Sequence, residues 1–542
     1  MTDDPGEPPP SADRRRLLLA FGATAVNVGL LHGLDLPSGA RPPGPATPDR
    51  VRPGVDAPAS APTVPATPRR TQPPTANTPA TPDAPPAPGP DHVFDLVVTG
   101  GRVMDPDSGF DGLADVGVDG DRITAVSALP LRGRDAIDAT GRVVAPGFVD
   151  LLSYEPNPFG VWLKLADGVT TNLAMHGVNN YATPFFDRYR DQTPIHFGGA
   201  FHQHFMRGFD VGARIDLPLT PGQVDRLVGL AADGLTGGFA GIALSPEYSP
   251  GTSTEELVGL AEAAAARNHV CFVHVRHSDP TPPGTSLEAI DEVVALADAT
   301  GVAVHISHLA STGGTNVMAE ALDRLEAARS RGLDVTACVY PYDFWGTFLA
   351  SARFAPGWQE RYGLTEGDLQ IAGTATRLSA ETIGSATVDN KLVAAMGSIP
   401  ETDVELALAR DWVMVASDAI PTLAGNNHPR GAGTFARTIA RYVRDRRQLD
   451  LMTALAKITI LPTRRVEGML PAMATKGRVQ RGADADLVVF DPVAIVDRAT
   501  VAAPTRPSLG IDDVVVAGRV ARRGGQEDRT TLAGVALQSA VL

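Results

Sequence analysis

Three histidines and an aspartate in this chain each follow a short apolar run, and that placement gives them chemical meaning. His176 follows Thr170-Thr171-Asn172-Leu173-Ala174-Met175, His274 follows Val270-Cys271-Phe272-Val273, and His308 closes Val302-Ala303-Val304-His305-Ile306-Ser307. Asp418 comes after Val413-Met414-Val415-Ala416-Ser417. If each run is a parallel strand, these groups gather at the strands' carboxyl ends, where parallel α/β barrels carry their active sites. Imidazoles on one rim with a carboxylate opposite suit a divalent metal ion that activates a water molecule for hydrolysis. The competing readings are satisfied core histidines and, for Asp418, a helix cap. The apolar approach to His274 and the Arg276 that follows it favour the site. By strand alternation, His305 faces the helices when His308 faces the mouth, and so reads as structural. His202 and His204 share a face in Phe201-His202-Gln203-His204-Phe205, but nothing else marks them, and they read as surface or loop histidines.

Hydrophobic patterning shows the elements that would position these groups. Apolar strand-like runs alternate with helical patterns at Thr254 to Ala266, Ser286 to Ala299 and Val317 to Arg331. Alternation over roughly 300 residues predicts a TIM-like (β/α)8 barrel, assigned here to residues 147–470. Short β-branched runs with Gly turns, from Phe94 to Ile123 and again from Gly482 to Val520, predict antiparallel strands. These segments (92–146 and 471–530) would meet in a small β-sandwich, with 531–542 as a tail. Ahead of them, Arg14-Arg15-Arg16 and an apolar stretch to about Leu31 lead to small residues near Ser38-Gly39-Ala40. That order is expected of a twin-arginine export signal over 1–40. The stretch 41–91 is dominated by Pro, Ala and Thr and predicts a disordered linker.

Bulk composition narrows the function classes. A net charge of −15 argues against nucleic acid as a partner, because phosphate binding needs a basic face. Membrane contact is expected only through the N-terminal signal. The 2 cysteines, Cys271 and Cys338, lie in apolar runs and predict buried free thiols, with no support for a thiolate metal cage.

The run Ala145-Pro146-Gly147-Phe148-Val149-Asp150 resembles the first barrel strand of metal-dependent amidohydrolases, which continues into an HxH pair. Here Leu152 and Tyr154 stand at the two His positions, and leucine cannot ligate a metal. Further stretches occur in family order: Gly168-Val169-Thr170-Thr171, Gly241 through Glu247-Tyr248, His274-Val275-Arg276, Ile306-Ser307-His308 and Tyr340-Pro341-Tyr342. Ser417-Asp418, His428-Pro429-Arg430 through Phe435, Lys457-Ile458-Thr459 and Gly482 through Leu487 follow. Together, from about Phe94 to Gly518, they resemble the D-aminoacylase (N-acyl-D-amino-acid deacylase) branch of the amidohydrolase superfamily.

The resemblance implies a hydrolase of linear amides whose substrate is a small N-acyl-D-amino acid. It implies that His274 and His308 hold zinc. The family's third ligand is a Cys after strand two; none stands there in this chain, and His176 is the nearest replacement. Asp418 is implied as general base, Tyr340 or Tyr342 as hydrogen-bond donor to the oxyanion, and Arg430 as binder of the substrate carboxylate, with Arg276 and Tyr248 also placed at the substrate. Loss of the strand-one HxH implies a single ion. Leu309-Ala310 stands where the family often carries a Lys near the substrate. Two alternatives remain open: a non-catalytic exported binding protein on the same barrel, or a cyclic-amide hydrolase or deaminase of the superfamily. Gly241-Ile242-Ala243-Leu244-Ser245 offers no Lys for a carboxylated-lysine bridge.

Overall fold

The computed structural model describes Ala80, Thr81 and residues 83–419 and 428–540. The expected export signal and most of the expected linker lie outside the described residues. From the N-terminal side come β1 (Val93–Asp105), β2 (Phe110–Asp119), β3 (Arg122–Ser127), β4 (Arg132–Asp138) and β5 (Val143–Pro146). Eight parallel strands then make the barrel: β6 (Phe148–Asp150), β7 (Val169–Val178), β8 (His196–His202), β9 (Gly241–Leu244), β10 (Val270–Val273), β11 (Ala303–Ile306), β12 (Val335–Val339) and, after an excursion, β16 (Val413–Val415). The backbone N–H of Asp418 donates to Leu152 O at 2.8 Å and joins the last strand's exit to the first's.

Between β12 and β16 the chain builds a three-stranded antiparallel sheet of β13 (Trp345–Phe348), β14 (Leu369–Ile371) and β15 (Leu392–Ala395). The far end adds β17 (Leu487–Phe490), β18 (Ile511–Val516), β19 (Arg519–Arg523) and β20 (Gln526–Glu527). β17 pairs with β5, so both ends of the folded region share one nine-stranded sheet. A bulge between Val98 and Gly101 lets β1 pair first with β4 and then with β5. Bulges bend strands, and the sheet encloses Leu96, Val98, Val116, Val144, Leu487 and Val515 in one apolar core.

Two connections fix this sheet and the barrel together. Buried Asp486, just before β17, takes Lys476 at 2.7 Å and His196, at the start of β8, at 3.0 Å. The final residues run back under the barrel: Leu537 donates to Phe197 O at 2.7 Å, and its buried side chain joins Leu173, Met175 and Phe272 in the barrel interior. Cys271 and Cys338 are free and buried. Among the described residues no helix is long and apolar enough to cross a membrane.

Candidate metal centre and active site

β10 and β11 end together at the barrel mouth, which brings His274 and His308 side by side. Their Nδ1 and Nε2 atoms are 3.2 Å apart and their ring centroids 4.7 Å apart. β7 delivers His176 through a break in its pairing with β8 between Ala174 and Val178. Gly177 makes that break possible: its φ is +116°, and a Cβ there would fall 2.4 Å from His202 Cγ. The result is a cluster in which one ligand-capable atom from each of His176, His274 and His308 lies within 4.8 Å of the others. All three are buried, and burial pushes each imidazole's pKa below its usual value. Neutral imidazole is the form that ligates a metal.

Asp418 faces this cluster from the end of β16. Its carboxylate oxygens lie 3.9 Å from His176 Nε2 and 3.9 Å from His308 Nε2. Arg430 Nη2 reaches Asp418 Oδ2 at 2.9 Å. Burial raises the Asp418 pKa, the Arg430 charge opposes that, and the outcome is about 7. Both Asp418 (φ +47°) and His308 (φ +35°) sit in the left-handed region, which non-glycine residues seldom adopt and which clusters at functional sites. Asp418 Oδ1, His176 Nδ1 and His308 Nδ1 are buried with no hydrogen-bond partner among the described residues. Nitrogen ligands at about 2.0–2.1 Å from a tetrahedral zinc lie roughly 3.3 Å apart. The 3.2 Å approach of His274 and His308 fits that spacing, and the donor set is one zinc accepts.

The remaining expected residues divide. Tyr340 lies in the site, its ring 6.3 Å from that of His308 and 5.0 Å from the Arg430 guanidinium, with a buried hydroxyl. Tyr248 packs 4.6 Å from the His274 ring. Tyr342 turns the other way: Arg437 covers its ring, and its hydroxyl is close to Gly433 in the helix Arg430–Arg437. Arg276 is likewise outside, because Glu292 on the neighbouring helix holds its Nη2 at 2.9 Å and its Nε at 3.0 Å. His305 is structural but does not face the helices: it bonds Thr336 at 2.8 Å and packs 5.6 Å from Phe272, its register partner on β10, inside the barrel. The left-handed backbone of His308 breaks the alternation that would have turned it outward. His202 and His204 are not loose surface groups: they bond Asn179 and Ser249 at 2.8 and 2.7 Å. Neither belongs to the three-histidine cluster.

The strand-one positions differ in kind. Leu152 is fully buried among Val149, Leu173 and Met175. Tyr154 stacks on His176 with centroids 4.7 Å apart and an 18° tilt. Asp150 is bound to Lys164 and to the Ser417 backbone N–H at 2.9 Å. Sequence reasoning did not single out Glu247, whose Oε2 lies 2.5 Å from His274 Nε2. Burial pushes its pKa up, Arg353 and His274 outweigh that, and the carboxyl falls to about 2.

A parallel barrel with an imidazole cluster and an opposed aspartate at its mouth defines a metal-dependent amidohydrolase. No protein-family profile matches the chain. It is 32% identical over 466 residues to an N-acyl-D-glutamate deacylase of Alcaligenes xylosoxydans xylosoxydans, covering 78% of this chain and 93% of that one. A D-aminoacylase of the same organism is 29% identical, covering 78% and 94%. The crystal structure of D-aminoacylase that defines a novel subset of amidohydrolases superposes with a TM-score of 0.71 at 27% identity, over 82% of this chain and all of that one. N-acyl-D-glutamate deacylase from Bordetella bronchiseptica, solved with zinc and a phosphonate mimic of the tetrahedral intermediate, gives 0.70 at 26%, over 83% and 100%. The chain belongs to the D-aminoacylase family of N-acyl-D-amino-acid deacylases, within the amidohydrolase superfamily.

Proposed function

We propose that this protein hydrolyses the amide bond of N-acyl-D-amino acids with one zinc ion held by His176, His274 and His308. The convergence of those three imidazoles on a site faced by Asp418 carries the reading. Zinc, when bound, lowers the pKa of water and polarises a carbonyl. Asp418 takes a proton from the attacking water and gives it to the departing amine nitrogen. A pKa near 7 suits both halves of that exchange at neutral pH. Arg430 holds Asp418 with Nη2 and keeps a buried Nε, without a partner among the described residues, for the substrate carboxylate. Tyr340 supplies its hydroxyl as hydrogen-bond donor to the oxyanion.

A single ion follows from Leu152 and Tyr154: one side chain is packed into the barrel and the other is stacked on a ligand. One structure of D-aminoacylase is described in terms of one-metal activation and second-metal attenuation. This chain is read as the one-metal case. The N-terminal Arg14-Arg15-Arg16 and the apolar run after them support export, which detection of the protein only in the cytosol would contradict. The activity is tested by supplying zinc-loaded protein with N-acyl derivatives of D- and L-amino acids that have neutral or acidic side chains. Release of free D-amino acid, abolished in Asp418→Asn, is expected. Ligand binding with no hydrolysis would instead favour a non-catalytic binding protein.

A further inference from the structure

Glu247 lies three residues beyond β9, and four groups from outside its own loop converge on its carboxylate. Oε2 meets His274 Nε2 at 2.5 Å. Oε1 accepts from Ser278 Oγ at 2.6 Å and from Tyr362 OH at 3.2 Å, with Arg353 Nε 3.6 Å away. Arg353 is itself fixed. Its guanidinium lies over the rings of Trp345 and Tyr362, at 4.3 and 5.2 Å, and Nη2 donates to Ser311 O at 2.7 Å. Arg353 and Tyr362 both come from the excursion between β12 and β16, so that insertion reaches the metal centre through one carboxylate.

An ionised carboxylate only accepts hydrogen bonds. His274 must therefore carry its proton on Nε2, which leaves the Nδ1 lone pair directed toward His308 Nε2. A carboxylate bonded to the far nitrogen of a ligating imidazole fixes its tautomer and ring angle and raises its basicity. We propose that Glu247 is a positioning residue: it holds His274 in the ligating tautomer and tightens divalent-metal binding at the three-histidine centre, with Arg353 keeping the carboxylate charged and in place. This rests on the reading of that centre as a metal site.

The test measures zinc affinity by chelator competition, and the visible absorption of the cobalt-substituted protein, for wild type and three variants. Glu247→Met should bind zinc about 10- to 100-fold more weakly. Glu247→Gln, which keeps an acceptor without the charge, should fall between it and wild type. The cobalt bands should shift in both. Glu247→Met combined with Arg353→Met removes the stranded cation; it should recover the melting temperature while zinc binding stays weak. Folded Glu247 variants with wild-type affinity and an unchanged cobalt spectrum would overturn the inference, as would affinity restored in the double variant. A wild-type protein that binds no zinc would overturn the metal-centre reading and this inference with it.

Discussion

One barrel mouth carries two opposite solutions. On the β10–β11 side, His274 and His308 are buried with their pKa values lowered by burial, and His274 is backed by Glu247. On the β6 side, the equivalent rim holds an aliphatic side chain, a stacked phenol ring and an ion pair, Asp150–Lys164, that satisfies itself. Leu152, His274 and His308 are all buried, so burial alone does not distinguish the two sides. What differs is the ligand atoms each side offers. His274 and His308 converge with His176 on one point, whereas Leu152 has no ligand atom, Tyr154 stacks on His176, and Asp150 is closed on Lys164 and the Ser417 backbone. The fold tolerates loss of ligands on one strand because the hydrophobic core and the closed ion pair hold that strand without a metal.

Substitutions on the two sides separate these roles. Asp418→Asn removes the proton carrier and should lower kcat by about 10²–10⁴-fold, with zinc content unchanged by elemental analysis. A variant that loses its metal would give Asp418 a ligand's part instead. On the other side, Lys164→Met strands a buried carboxylate and should cost about 3–5 kcal/mol in urea unfolding, again with zinc retained. Loss of zinc in a folded Lys164→Met protein would break the distinction drawn between the sides.

The barrel floor supplies a reference far from either. Burial alone would raise the Asp486 pKa, but His196 and Lys476 hold it far below its usual 3.8. Because the folded value is depressed, this stabilisation is complete above about pH 4 and is lost as pH falls below it. Asp486→Asn should cost about 1.5–3 kcal/mol at pH 7, a difference from wild type that shrinks as urea melts are repeated toward pH 3. A gap constant with pH would show that the charge contributes nothing.

Much of this could be read in the sequence. Most barrel strands follow from apolar runs bounded by turns, and His274, His308 and Asp418 from their place just beyond them; β8 (His196–His202) does not, since its end reads as a surface or loop segment. His176 needed the bulge at Gly177 to reach the cluster, and a bulge has no clear signature beyond the glycine itself. Tyr342 and Arg276 were misplaced by a shared cause. Each is a polar neighbour, two residues on, of a true mouth residue, but the chain has left the strand there and alternation no longer sets direction. Glu247 lay inside a family-like stretch, yet its contacts Arg353 and Tyr362 come from an excursion whose short strands give little periodic signal. Expected surface histidines His202 and His204 are held by Asn179 and Ser249, partners that only the folded chain brings close.

The most direct test is a zinc titration of metal-free protein, followed by removal of loose ion and elemental analysis. One tightly held zinc per chain, lost on His308→Ala and retained in Tyr154→Phe, is expected. Two tightly held ions, or none, would contradict a single centre built on β7, β10 and β11.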